Sequence, residues 1–190
     1  MKEKIIEKSI NLFAVQGFKE TTIQQIVEEL GVTKGTFYYY FQSKEEVLVD
    51  IQMTYIERLL AAQQEIFHQK ETTCKDKIFE LMVRIVSEIR TEGLKAKVFI
   101  REMRHVNEVQ LKSIKRKRNE FRNNLIQVLE EAMRKREIQS HIPAEMIAFG
   151  ILGMTNWTYF WYDPDGERTE EEIVSYFHQI IMNGIEKMEE

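Results

Sequence analysis

The amino-acid sequence predicts an all-α fold: a three-helix head over residues 1–45 and a larger helical body over residues 46–190, about nine helices in all. Three observations carry this reading. Only two prolines and eight glycines occur in 190 residues, which leaves little material for loops. Apolar residues return at steps of three or four through one segment after another. Ser or Thr followed by acidic or amide side chains stands at the start of several of these stretches, as helix caps require.

The first helix is read from Lys2 to Gln16, with Ile6, Ile10, Phe13 and Ala14 as its stripe and Gly17 as its stop. Thr21 or Thr22, with Gln24 or Gln25, forms a capping box for a second helix whose inner face is Ile23, Ile26, Val27 and Leu30. Gly31 supplies the positive φ that ends it. Thr33 then caps a helix of about two turns. Phe37 and Phe41, four apart, share its inner face. Lys34, Thr36, Tyr38, Tyr39 and Tyr40 spread over the other faces. Three consecutive tyrosines cannot all face one core at about 3.6 residues per turn. A hydroxyl-rich, basic outer face on a capped helix suits phosphates and base edges, and helix, glycine turn, helix is the helix-turn-helix arrangement.

Ser43 caps the next helix, with Glu45 and Glu46 in its first turn. Leu48, Ile51, Tyr55, Leu59, Ala62 and Ile66 carry it to about His68, connecting head to body. After a break at Thr72–Lys75, Ile78, Leu81, Met82, Ile85 and Ile89 mark a helix that ends near Gly93. A shorter one follows to about Met103. Asn107 caps a long helix with Ile114, Phe121, Leu125, Val128 and Leu129 inward and a basic run from Lys112 to Arg122 outward. From Met146 to Tyr162 no residue is charged. Its glycines, threonines and asparagine disfavour a membrane span, and an all-round apolar helix is expected to be buried on two sides. Asp163-Pro164-Asp165-Gly166 is a turn. Thr169 caps a last helix carrying Ile173, Val174, Phe177, Ile180, Ile181, Gly184 and Ile185. The last two helices could close on a two-fold copy as a four-helix bundle, with Ile147, Ile151, Met154, Val174, Phe177 and Ile181 as the expected dimer face.

The net charge of −4 excludes a polycation that coats nucleic acid. The first 44 residues carry six Lys against five Glu, so DNA affinity must come from placed contacts. His68, His105, His141 and His178 are dispersed, Cys74 is a lone cysteine, and no phosphate loop or nucleophile elbow occurs. No enzyme, metal site or cofactor is expected. The opening M-K-E-K-I-I-E-K carries acids and no apolar run, so a cytoplasmic chain is expected.

Phe13, Gly17-Phe18, Thr21-Thr22, Ile23, Ile26, Gly31-Val32-Thr33-Lys34-Gly35-Thr36-Phe37-Tyr38, Tyr40-Phe41 and Ser43-Lys44-Glu45 together resemble the TetR family of bacterial transcriptional regulators. The resemblance implies a homodimeric repressor on double-stranded operator DNA. By match to the family pattern, Lys34, Gly35 and Tyr38 are the base contacts, and Thr22, Thr36, Tyr39, Tyr40 and Lys44 the phosphate contacts, with Thr33 at the cap. Gly153-Met154-Thr155-Asn156-Trp157 through Trp161-Tyr162 and Asp163-Pro164-Asp165-Gly166 resembles a branch that regulates fatty-acid and sterol breakdown in response to acyl-CoA thioesters. That implies a small hydrophobic effector, a long-chain acyl-CoA among the candidates, in the body. Expected ligand residues are Tyr55, Phe99, Arg101, Met103, Arg104, Phe121, Asn156, Trp157 and Phe160, with the Lys115–Arg118 run as a further phosphate partner. Two alternatives stay open: the same repressor with an unrelated hydrophobic or drug effector, and a helical lipid carrier without DNA activity.

Overall fold

The computed structural model describes residues 1–102, 105, 108–138 and 141–183. Met103, Arg104, Asn107, Gly184 and Ile185 lie outside the described residues. Those described are helical throughout their ordered elements, with no strand among them: α1 (Lys2–Gln16), α2 (Ile23–Leu30), α3 (Lys34–Tyr40), α4 (Lys44–Phe67), α5 (Cys74–Arg101), α6 (Glu108–Arg134), α7 (Ala144–Trp157), a 3₁₀ turn (Thr158–Phe160) and α8 (Glu170–Asn183). The all-α expectation holds. The two helices expected on either side of Gly93 form one run, α5, interrupted at Glu92 with φ −137° and ψ 28°.

By packing, the chain forms two compact units, one of residues 1–58 with 92–118 and one of residues 59–91 with 119–190. This differs from the boundary at 45/46 read from the sequence. The reason is that the core of the head does not stop at α3. Ile5, Phe13, Ile26, Phe37, Phe41 and Leu48 share one cluster with Val98 and Ile114. In α1 the most deeply buried isoleucine is Ile5, whereas Ile6 is only half-buried. Gly17 ends α1 at φ 92°, its amide donating to the Phe13 carbonyl at 3.1 Å.

The second unit is built on Ile78, Leu81, Met82, Leu125, Leu129, Ala148, Ile151 and Val174, each at most 1% exposed. Buried Gln63 satisfies its amide by donating to the Phe121 carbonyl (2.8 Å) and accepting from Asn124 (2.9 Å). Arg90 fastens the turn before α8, donating to Glu170 at 2.7 Å and to the Pro164 carbonyl. Thr169 and Glu172 close a capping box there, with bonds of 3.2 and 2.8 Å. No helix among the described residues is long and apolar enough to cross a membrane.

Candidate nucleic-acid interface

The α2–α3 pair is set by local chemistry at each joint. Thr22 accepts from the Gln25 amide at 3.2 Å while the Gln25 side chain accepts from the Thr22 amide at 2.8 Å, a complete capping box. Gly31 adopts φ 64°, ψ 32°, the left-handed conformation that lets the Val32 amide return to the Val27 carbonyl at 3.0 Å. Thr33 then caps α3, accepting from the Thr36 amide at 3.3 Å.

Packing sorts the aromatics of α3. Phe37 and Phe41 are buried at 0% and 2% exposure, with ring centroids 6.0 Å apart. Tyr38, Tyr39 and Tyr40 face out, Tyr39 at 81% exposure. Tyr39 and Tyr40 meet edge to face at 4.8 Å, which limits their rotation before any ligand arrives. Lys34, Thr33 and Gly35 are exposed beside them. A Cβ on Gly35 would meet only the Thr33 hydroxyl, at an ordinary 3.5 Å. No intramolecular contact demands a glycine there.

Lys44 departs from its expected role as a phosphate contact. Its ammonium donates to the carbonyls of Phe18 (2.6 Å), Thr21 (2.6 Å) and Lys19 (3.4 Å) and lies 4.3 Å from the centre of the Phe18 ring. An ammonium has three donors, and the α1–α2 turn takes all three. Burial lowers the Lys44 pKa, against the raising influence of Glu45 and Glu20. Lys44 therefore pins the first turn of α4 to the α1–α2 turn. Sequence alone does not show this, because the partners are backbone carbonyls far upstream.

Residues 5–51 match the family model for bacterial regulatory proteins of the tetR family, and residues 71–185 match that for a tetracyclin repressor-like C-terminal domain. The second match by itself spans more than half of the chain. The chain belongs to the TetR family. It is 20% identical to the HTH-type transcriptional repressor KstR2 of Mycolicibacterium smegmatis, over 97% of this chain and 90% of the relative. It is 24% identical to the fatty acid metabolism regulator protein of Bacillus subtilis, over 84% of each chain. Its fold matches that of AibR in complex with isovaleryl coenzyme A and operator DNA, with a TM-score of 0.86, 20% identity, and coverage of 95% of this chain and 97% of that one. TetR-family regulators are non-enzymatic DNA-binding proteins that dimerise, which removes the carrier without DNA activity as an alternative.

The expected ligand residues of this TetR-family chain fall in different surroundings. Tyr55 and Phe99 are buried and pack ring to ring at 4.6 Å. Of the Lys115–Arg118 run, Arg118 joins them, its guanidinium 4.1 Å from the centre of the Phe99 ring. Burial lowers the Arg118 pKa, while Tyr55 nearby raises it. Gln52, fully buried, donates to the carbonyls of Val98 (3.1 Å) and Phe99 (3.3 Å). Its Oε1 has no hydrogen-bond partner among the described residues. Phe121 is buried in the second unit, and Arg101 is exposed. Asn156, Trp157 and Phe160 are not interior positions: Asn156 is exposed, and the two rings are 62% and 53% exposed.

The residues of the expected dimer face divide in the same way. Ile151 and Val174 are fully buried within the chain, and Ile147, Met154, Phe177 and Ile181 are half-buried. The bare side of α7 and the 3₁₀ turn is Met146, Phe149, Gly150, Gly153, Trp157 and Phe160, and that of α8 is Tyr176 and Ile180. Within the single chain α7 is covered on one side. A stretch with no charged residue gives no polar mark by which its outer face can be chosen.

Proposed function

We propose that the protein is a homodimeric repressor that leaves its operator when a fatty acyl-CoA or a similar lipid effector binds. The DNA-reading surface is the outer side of α3, with Lys34, Gly35 and Tyr38 on base edges and Thr22, Thr36, Tyr39 and Tyr40 on phosphates. The observation that carries this is the sorting of α3, whose two phenylalanines are buried while three tyrosines and Lys34 stay outside on a doubly capped frame. The subunits meet through the bare apolar side of α7 and α8, centred on Trp157 and Phe160.

The effector reading draws on the names of the relatives and on the buried group around Phe99. Tyr55 and Phe99 offer apolar surface, Arg118 a cation, and Gln52 an amide oxygen with unused acceptor capacity. Differential affinity of the effector for two arrangements of the head shifts the equilibrium away from DNA. Cytoplasmic location follows from this role. Binding to the DNA upstream of its own gene, at fixed salt, tests the scheme with acyl-CoAs of graded chain length, free CoA and free fatty acids. Release by an acyl-CoA but by neither fragment is the expected result. Specific binding indifferent to the whole panel would overturn the lipid effector and leave an unrelated hydrophobic one.

A further inference from the structure

α8 has two unlike sides. Tyr176 and Ile180, four residues apart, stand on its bare side, and the helical repeat carries His178 between them round to the other, in line with the fully buried Val174. There the imidazole meets the Phe79 ring of α5 edge to face, with centroids 5.3 Å apart. Its Nε2 is buried and has no hydrogen-bond partner among the described residues. His178, Phe79 and the start of α5 all belong to the second unit.

A neutral imidazole can leave Nε2 without a hydrogen, whereas an imidazolium must place an N–H there with no acceptor to receive it. The start of α5 also works against the charged form. Its first turn is the positive end of the helix dipole, and Lys75 adds a full positive charge. The one carboxylate of that turn, Asp76, is engaged in capping: it accepts from the Thr73 hydroxyl at 2.6 Å, while Thr73 accepts from the Asp76 amide at 3.1 Å. On α8 itself the residues one turn away, Val174, Ser175, Ile181 and Met182, are uncharged. α7, which packs on α8, carries no charge beyond Glu145. Burial, and after it Lys75, lowers the His178 pKa, against the raising influence of the Lys75 backbone and of Asp76.

We propose that His178 is an acid-sensitive latch: uncharged, it seats α8 on the start of α5, and protonated, it unseats that helix and with it the apolar side carried by Tyr176 and Ile180. The latch needs only the packing within one chain; its consequence for the dimer rests on the reading of α7 and α8 given above. A histidine whose folded pKa is lowered contributes its full stability above the unfolded value of about 6.5. That contribution is lost as pH falls from about 6.5 to the folded value. In this window the unfolded chain binds up to one proton more, so the unfolding constant rises by up to about tenfold per pH unit.

The test uses the full chain. Imidazole signals in ¹H–¹³C spectra, assigned with the variant His178→Gln, are followed through a pH titration, and the His178 midpoint is expected below about 6.5. Chemical denaturation from about pH 7.5 to about pH 5 is expected to show the unfolding constant rising several-fold more in the wild type than in His178→Gln. Sedimentation over the same range is expected to show the dimer weakening several-fold with acid in the wild type and holding in the variant. A His178 midpoint at or above about 6.5, which the wild-type spectra decide even if the variant folds poorly, would overturn the latch. So would an equal pH dependence of stability with and without His178. A wild-type chain that is monomeric throughout, while His178 titrates low and the stabilities diverge, would uphold the latch and overturn the dimer reading instead.

Discussion

Two surfaces of this protein expose aromatic rings, and they differ in what surrounds them. On α3 every exposed ring is a tyrosine, set among Thr33, Lys34 and Thr36. On α7 and the 3₁₀ turn the exposed rings include Phe149, Trp157 and Phe160, set beside Met146 and two glycines. Tyrosine carries a hydroxyl that keeps hydrogen bonding whether the partner is water or phosphate. Phenylalanine has no such tip, and a contiguous stripe of it in water is unfavourable until another apolar surface covers it. The first surface suits a polar, charged partner and the second an apolar one, which under the proposed function is a second copy of the chain. Exposure of aromatics alone would not separate them. The polar atoms around the rings do.

The comparison can be broken most severely from beneath. Phe37→Ala removes a fully buried ring under the α3 tyrosines and is expected to cost about 3–5 kcal/mol, read by chemical denaturation, with DNA binding lost alongside folding. On the other surface, Trp157→Glu combined with Phe160→Glu is expected to cost the dimer about 2 kcal/mol or more while leaving the fold of each chain in place; sedimentation over a concentration range reads it. Lys44→Met sharpens the contrast between a pin and a contact. It leaves three carbonyls without their donor and is expected to destabilise the head by about 1–3 kcal/mol, with the salt slope of DNA binding unchanged. Lys34→Ala is expected to do the reverse, leaving stability alone, relaxing base preference by about 1–3 kcal/mol and lowering the salt slope by about one. The smallest effect is electrostatic. Burial raises the Glu170 pKa, but the bond from Arg90 and its companions hold it below the usual range. A depressed folded pKa stabilises above the unfolded value of about 4.3 and ceases to do so as pH falls through the folded one. Tm is therefore expected to fall below about pH 4.5, less so in Arg90→Gln.

How much of this could be read from the sequence depended on polar punctuation. In α2 and α3, Thr22, Gln25, Gly31 and Thr33 each fix one joint by a local bond, and the buried pair Phe37 and Phe41 followed from a spacing of four. The all-α class was legible for the same reason, and so was an interruption near Gly93, though it was read as the end of one helix and the start of another. The α7 face was not, because Ile151 and Trp157 look alike to a periodicity argument when no charged residue intervenes. Lys44 was misread because a lysine after a recognition helix is consistent both with phosphate and with backbone carbonyls, and only the fold brings Phe18, Lys19 and Thr21 to it. Arg118 was expected only as one of the Lys115–Arg118 run, and nothing in the sequence separates it from the other members, which are largely exposed. Side chains whose partners are distant backbone atoms or rings leave no mark at sequence range.

The most direct measurement is an unbiased selection of binding sites from random duplexes, with the wild-type chain and the Trp157→Glu, Phe160→Glu variant side by side. A sequence read by α3 in each of two subunits predicts a two-fold symmetric site for the wild type. Its half-sites should lie about one helical turn apart, 10–10.5 base pairs, or a multiple of that. The variant should enrich a single half-site, and more weakly. An enriched site without symmetry, or no enrichment at all from a folded wild-type chain, would contradict the account.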